Sequence, residues 1–185
     1  MSKKNPWITK SNKEIYNNPW IKVVENQVIN PSGNKGIYGV VHFKNIAVGI
    51  VPIDKDGFTY LVGQYRYTHN TYEWEIPMGG GLKNTSPLTS AKRELLEETG
   101  LKAKEWKIIL ESQVSNSVTD EISITYLATG LTQHTPIPEE TEELSIKKLH
   151  INEAIEMALN GKIKDLISIA SLLKIDYLLK NNLIL

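Results

Sequence analysis

The chain has 185 residues, 41% of them apolar, enough to bury one good core and too few for two comfortable domains. Lysine plus arginine and aspartate plus glutamate both number 21, and this zero balance gives no general attraction to nucleic acid or to an anionic membrane. Absence of cysteine excludes disulfides, thiolate metal sites, zinc fingers and cysteine nucleophiles.

In chain order, residues 1–19 are polar, rich in asparagine and lysine, and interrupted by Pro6 and Pro19; they read as an arm or an irregular lead-in. The opening residues lack the apolar stretch of a secretory signal, and no segment reaches the roughly 18 apolar residues of a membrane span. A soluble cytoplasmic protein is the expectation. Residues 20–28 alternate as a half-buried strand does, Pro31, Ser32, Gly33 and Asn34 mark a turn, and residues 37–43 form the return strand. Residues 46–53 are a short apolar run suited to a buried strand, followed by a turn at residues 54–57 and a strand at 58–65. Residues 74–77 are short and extended, and Gly79, Gly80 and Gly81 form a glycine loop. A helix is predicted at 87–98, strands at 107–113 and 122–128, and helices at 153–160 and 164–180. Ile167, Ala170 and the spacing from Leu173 to Leu178 put an apolar stripe on the last helix. Strands thus flank a central helix and helices close the chain, without the regular alternation of a doubly wound parallel sheet. The fold class is α+β.

The central helix carries the chemistry. Ser86 can cap it, Pro87 suits its first position, and Gly100 suits the left-handed position after its last turn. Leu88, Ala91 and Leu95 share a core-facing side. Glu94, Glu97 and Glu98 lie at i, i+3 and i+4 and form one carboxylate patch. Like charges at that spacing repel, and the C-terminal end of a helix already bears partial negative charge. A hard divalent cation with oxygen ligands, Mg²⁺ or alternatively Mn²⁺, compensates such a patch. Arg93 can swing over Glu97 at i+4. The preceding glycines allow close approach to a phosphate. The plainer alternative is a solvated acidic helix end beside a flexible loop.

The stretch resembles the Nudix box: Gly, five residues, Glu, seven residues, then Arg-Glu-apolar-x-Glu-Glu-x-Gly-apolar. Gly79 matches the first glycine, and Arg93-Glu94-Leu95-Leu96-Glu97-Glu98-Thr99-Gly100-Leu101 matches the second half at every position. The isolated Glu of the pattern is Thr85 here, a departure that touches loop geometry and rate more than metal binding. Gly63-Gln64-Tyr65-Arg66-Tyr67, Trp74-Glu75-Ile76-Pro77-Met78-Gly79-Gly80, the Tyr126 strand, and Gly161-Lys162-Ile163-Lys164-Asp165 with its following apolar helix are similar to segments of ADP-ribose pyrophosphatase-type members. The similarity covers most of residues 19–175.

The resemblance implies a Nudix fold, an α/β/α sandwich with a curved mixed sheet, plus a small N-terminal antiparallel sheet. It divides the chain into residues 1–44, an arm that forms a homodimer, and a hydrolase domain at 45–185. It implies Mg²⁺ (or Mn²⁺) held by Glu94, Glu98, Glu97 and the Met78 carbonyl. Arg66 would pair with a substrate phosphate, the alternative being a strand-surface salt bridge. Glu75 would contact substrate or a metal, the alternative being a strand-edge charge. Gly80 would contact substrate, and Trp20 (with Tyr16 and Trp74) could stack on the base, the alternative being ordinary core or interface aromatics. The candidate catalytic groups are Glu97, Arg93, and Glu140 or Glu142 of the acidic segment after the box, between which the sequence does not choose. Loss of a Pro-Gly pair at residues 115–121 bears on the sugar side.

The implied reaction is Mg²⁺-dependent hydrolysis of a nucleoside diphosphate sugar, ADP-ribose foremost, to AMP and ribose 5-phosphate. The partner is that small nucleotide sugar, with no nucleic acid and no membrane. Competing readings are a Nudix hydrolase for GDP-mannose or another nucleoside diphosphate derivative, and a sensor that binds a nucleotide sugar without cleaving it. An unrelated acidic interaction domain requires the whole box match to be accidental.

Overall fold

The structure is a computed structural model that describes residues 4–135 and 144–184. It divides into two compact units: residues 1–45 with 113–121, and residues 46–112 with 122–185.

The first unit is an antiparallel sheet of β1 (Ile8–Asn17), β2 (Ile21–Ile29) and β3 (Lys35–Phe43), in the order β1-β2-β3. The expected hairpin is there, with Val24 opposite Val40. Its turn is closed by Asn30, whose Oδ1 accepts from the Ser32 and Asn34 amides at 3.0 Å each; Gly33 supplies the left-handed residue at φ +86°. Within the segment read as an arm or an irregular lead-in, residues 8–17 form β1. Asn18 is the cause: its side-chain oxygen takes the amides of Trp20 (2.9 Å) and Ile21 (2.8 Å), turning the chain so that β1 pairs with β2. Every residue of β1 is exposed, so backbone pairing holds it there, and apolar patterning had little to reveal.

The second unit contains β4 (Asn45–Pro52), β5 (Phe58–Arg66), β6 (Thr71–Glu75), β7 (Met78–Leu82), α1 (Pro87–Thr99), β8 (Leu101–Lys102), β9 (Glu105–Gln113), β10 (Ile122–Thr129), β11 (Thr132–Gln133), β12 (Ser145–His150), α2 (Ile151–Leu159) and α3 (Leu166–Lys180). One sheet runs β7-β4-β10-β9, with β10 parallel to β4. A second is β12-β5-β6, antiparallel throughout, and β11 pairs with β8. This is the mixed α+β architecture expected.

Strand β4 reads as a continuous apolar run because both of its faces are covered. Val48 and Ile50 join Ala91 and Leu95 of α1 in one core cluster with Leu101, Tyr126 and Ala128. The intervening Gly49 faces the other way: a Cβ there would lie 3.0 Å from Ile76 and 3.4 Å from Ile167 of α3. Helices α1 and α3 therefore lie on opposite faces of the sheet. Each fully buried aliphatic side chain contributes about 1.5–3 kcal/mol to this layering.

Two expectations change in detail. The glycine loop is a strand, β7, hydrogen-bonded beside β4, and the Pro77 carbonyl accepts from the Ile50 amide at 2.8 Å. The inward face of α3 is Ile167, Ser168, Ser171, Leu172, Ile175 and Leu178, while Leu173 is 38% exposed. This helix is apolar nearly all round, so spacing alone leaves its inward side open, and two serines turn inward because both find partners there. Among the described residues, no helix is long and apolar enough to cross a membrane.

Candidate active site

Helix α1 is bounded as its sequence demands. Pro87 begins it, and Gly100, at φ +70°, ends it by donating its amide to the Leu96 carbonyl at 2.9 Å. Ser86 has the extended backbone of a cap, but its hydroxyl makes no capping bond. The last turn holds Glu97 and Glu98 and no basic residue, so acidic charge meets the negative end of the helix dipole.

Strand β7 lies along this helix and brings backbone to the carboxylates. Glu94 and Glu98 are buried, at 7% and 2% exposure, and Glu97 is half-buried. Glu98 accepts the Met78 amide at 3.0 Å. Gly79 stands against Glu94 so closely that a Cβ would meet the carboxylate at 2.2 Å.

Arg93 spans the patch. Its Nη1 donates to Glu97 at 2.6 Å, and its Nη2 to Glu94 at 2.5 Å and to the Gly80 carbonyl at 3.0 Å. Burial pulls the Arg93 pKa down, but Glu94 and Glu97 more than offset it and hold the group above its ordinary value. The i+4 contact with Glu97 is as expected, while Gly80, expected against substrate, holds Arg93 through its carbonyl. As the side chains stand, no three carboxylates or imidazoles among the described residues gather closely enough to grip a metal ion. The donor set itself, carboxylates and backbone oxygens without sulfur or imidazole, fits a hard divalent cation.

A second group lies on the sheet β12-β5-β6. Strands β5 and β6 pair so that Val62 stands opposite Glu75 and Arg66 opposite Thr71, which puts Arg66 and Glu75 on one face. Arg66 grips Glu75 with two nitrogens, Nε donating to Oε1 (2.7 Å) and Nη2 to Oε2. Glu75 is 2% exposed, so this is a desolvated carboxylate in a bidentate pair. The bond to Glu75 is the largest cause raising the Arg66 pKa; burial opposes it, and the charges of Glu75, Asp165 and Glu98 reinforce it. Arg66 thus shares an electrostatic neighbourhood with Glu98 of α1. Its Nη1 makes no hydrogen bond among the described residues, leaving one donor edge open. Beside it, Glu73 accepts from the Thr71 hydroxyl (2.7 Å) and the Lys164 ammonium (3.0 Å).

Trp74 neighbours Glu75 in β6 and so projects from the opposite face. There it meets Tyr72 edge-on at 5.7 Å, and the Lys147 ammonium lies 4.1 Å from its ring centroid. Trp20 and Tyr16 belong to the first unit and are exposed. Thr85 spends its hydroxyl on the Leu82 carbonyl at 3.0 Å, closing the turn before α1. Glu140 and Glu142 lie outside the described residues. A cavity of about 570 Å³ opens beyond the carboxyl ends of β4 and β10, against Tyr60, Leu101, Lys104 and Gln133; the carboxylate patch and Arg66 do not line it.

Sequence reading missed Asp165, Lys164 and Glu73 as neighbours of this group. Asp165 accepts the Ser168 amide at 2.7 Å and caps α3, a signal visible as an acidic residue three positions before a serine. Its proximity to Arg66, far away in the chain, had no local signature.

Comparison with known proteins agrees with the geometry. The NUDIX domain family matches residues 43–167, and the nucleoside diphosphate sugar hydrolase N-terminal domain matches residues 4–41. An ADP-ribose pyrophosphatase of Mycobacterium tuberculosis is 33% identical over 172 residues, covering 90% of this chain and 82% of that protein. One from Bacillus subtilis is 26% identical, covering 85% of each. A crystal structure of an ADP compounds hydrolase superposes with a TM-score of 0.86 over 98% of both chains, at 18% identity; at that identity it speaks for the fold. The helix of buried carboxylates, the strand pressed against it and these matches together establish that the chain belongs to the Nudix family, as a hydrolase of the ADP-ribose pyrophosphatase-like kind.

Proposed function

We propose that this hydrolase cleaves the diphosphate bridge of a nucleoside diphosphate sugar, ADP-ribose foremost, in a Mg²⁺-dependent reaction. The observation that carries the reading is that buried Glu98, which shares α1 with buried Glu94, acts electrostatically on Arg66 of the Arg66–Glu75 pair. A diphosphate needs both a place for cations and a guanidinium donor. The names of the M. tuberculosis and B. subtilis relatives support ADP-ribose as the first substrate to test.

Glu94 and Glu98, with Glu97, are the residues that would hold the metal, and a bound divalent ion supplies charge neutralisation at the diphosphate and acidifies water. Arg93 orients Glu97 and Glu94, and the open Nη1 edge of Arg66 receives a phosphate oxygen while Glu75 keeps its other two nitrogens in place. Water adds to one phosphorus as the bond to the bridging oxygen breaks, and that oxygen leaves with the other phosphate. The products from ADP-ribose are AMP and ribose 5-phosphate. Glu97, or a carboxylate of residues 138–144, takes the proton from water.

The reading extends to assembly and place. Residues 1–44 serve as a dimer-forming arm, supported by a β1 edge exposed along its whole length, and residues 45–185 form the hydrolase domain of a cytoplasmic homodimer. The test is product analysis with ADP-ribose and GDP-mannose, each with Mg²⁺ and with EDTA. Metal-dependent release of a nucleoside monophosphate from ADP-ribose supports the reading, and release from GDP-mannose alone changes the substrate. Cleavage of neither, with nucleotide binding retained, overturns it in favour of a sensor.

A further inference from the structure

We propose that Ser168 is a positioning residue for this reaction: its buried hydroxyl holds the connection between β6 and β7, and so sets the spacing between the Arg66–Glu75 pair and the Met78–Glu98 contact. The inference rests on the hydrolase reading above and adds a residue of α3 to it.

The connection consists of Ile76 and Pro77. Ile76 is 0% exposed, stands just after the last paired residue of β6, and is followed by a proline with no amide hydrogen to offer. Its own N–H therefore needs a partner that neither flanking strand supplies. Ser168, also 0% exposed, provides it: the Ile76 amide donates to Ser168 Oγ at 3.0 Å. From the other side, the Pro77 carbonyl accepts from Ile50 of β4 at 2.8 Å. The two-residue link is thus pinned between α3 and β4. One residue before it, Glu75 holds Arg66; one residue after it, Met78 holds Glu98. A shift of the link moves both contacts, and these belong to the two halves of the site. Asp165 ties the device together, because its carboxylate caps Ser168 and its charge acts on Arg66.

The same helix contains a matched control. One turn along, Ser171 is equally buried at 0% exposure, and its hydroxyl donates to Thr125 Oγ1 of β10 at 3.0 Å. It loses a comparable hydrogen bond on truncation, but that bond goes to β10 and not to the link at residues 75–78. Comparing Ser168→Ala with Ser171→Ala therefore separates positioning from general loosening of α3.

The experiment measures kcat and KM for ADP-ribose with Mg²⁺, Mn²⁺ affinity by calorimetry without nucleotide, and thermal midpoints, for wild type, Ser168→Ala, Ser168→Thr and Ser171→Ala. Both alanine variants should lose similar stability. Only Ser168→Ala should lose kcat/KM, by about tenfold to a hundredfold, the scale of a displacement of about 1 Å, and only it should bind Mn²⁺ more weakly. Ser168→Thr, which keeps the oxygen, should recover most of both. Equal kinetic and Mn²⁺ effects from the two alanine variants, or no recovery with threonine, would overturn the proposal. Wild type that binds Mn²⁺ but cleaves nothing sinks the hydrolase reading instead, and the Mn²⁺ comparison still judges Ser168. Wild type that neither cleaves nor binds Mn²⁺ removes both.

Discussion

Gly79→Ala offers a sharp test of how the acidic patch is built. An added Cβ at this position would lie 2.2 Å from both Cδ and Oε1 of Glu94 and 2.4 Å from Oε2. Contacts under 3.0 Å are essentially never seen, so the carboxylate must retreat by 3.0 minus 2.2, or about 0.8 Å. It has little room, because Glu94 is 7% exposed and is held by Arg93 at 2.5 Å. Overpacking of this kind costs about 1–3 kcal/mol, and a ligand displaced by nearly 1 Å costs about 100-fold in rate. The assay is kcat for ADP-ribose over a Mg²⁺ titration, with a thermal melt alongside. The variant should fold with a lowered midpoint, need more Mg²⁺, and turn over about 100-fold more slowly. Unchanged kcat and unchanged Mg²⁺ dependence would refute the placing of Glu94 against this backbone, and with it its role in the chemistry.

Glu98→Gln should keep the fold, since an amide oxygen can still accept from Met78, yet lose most turnover; full activity in a steady-state assay would remove Glu98 from the metal site. Arg66→Ala leaves the carboxylate of Glu75, 2% exposed, without its bidentate partner. Breaking a fully buried pair costs about 3–5 kcal/mol. The Arg66 side chain is 38% exposed, which reduces the expectation to about 1–3 kcal/mol, read as a drop in urea midpoint together with a raised KM. Asp54 gives a pH dependence. Burial pushes its carboxyl up, but Lys148 at 2.8 Å and the amides of Phe58 and Asp56 hold it below its ordinary value of 3.8. A depressed folded pKa contributes stability above the unfolded value that is lost as pH falls through the folded one. Urea midpoints should therefore fall more steeply below pH 3.8 in wild type than in Asp54→Asn; parallel curves would show that this turn does not carry the effect.

Much of the site was legible because it is local. Pro87, Gly100 and the i, i+3, i+4 spacing of Glu94, Glu97 and Glu98 act within one helix, where backbone geometry alone decides which side chains meet. The Arg93–Glu97 contact is of the same kind. Strand β4 was visible because burial on both of its faces forces a continuous apolar run, whereas β7 read as a glycine loop and the two-residue strands β8 and β11 are too short to show a pattern. Strand β1 was not visible either, because it buries nothing and is held by pairing that begins at the Asn18 turn.

What sequence determined by itself is thus the α+β class, the acidic helix with its termini, and the set of oxygen donors that suits a hard cation. Tertiary structure decided which of those groups face one another. It committed two nitrogens of Arg66 to Glu75, turned Trp74 to the opposite face of its sheet, and made the glycine run a strand so close to α1 that no side chain fits at Gly79. It also turned Ser168 and Ser171 of α3 inward, although that helix has enough apolar residues to present almost any side. The reason is physical. A helix or strand declares its own periodicity, but the partner of a buried amide or carboxylate is chosen by the packing of segments distant in the chain, and no spacing within one segment encodes that choice.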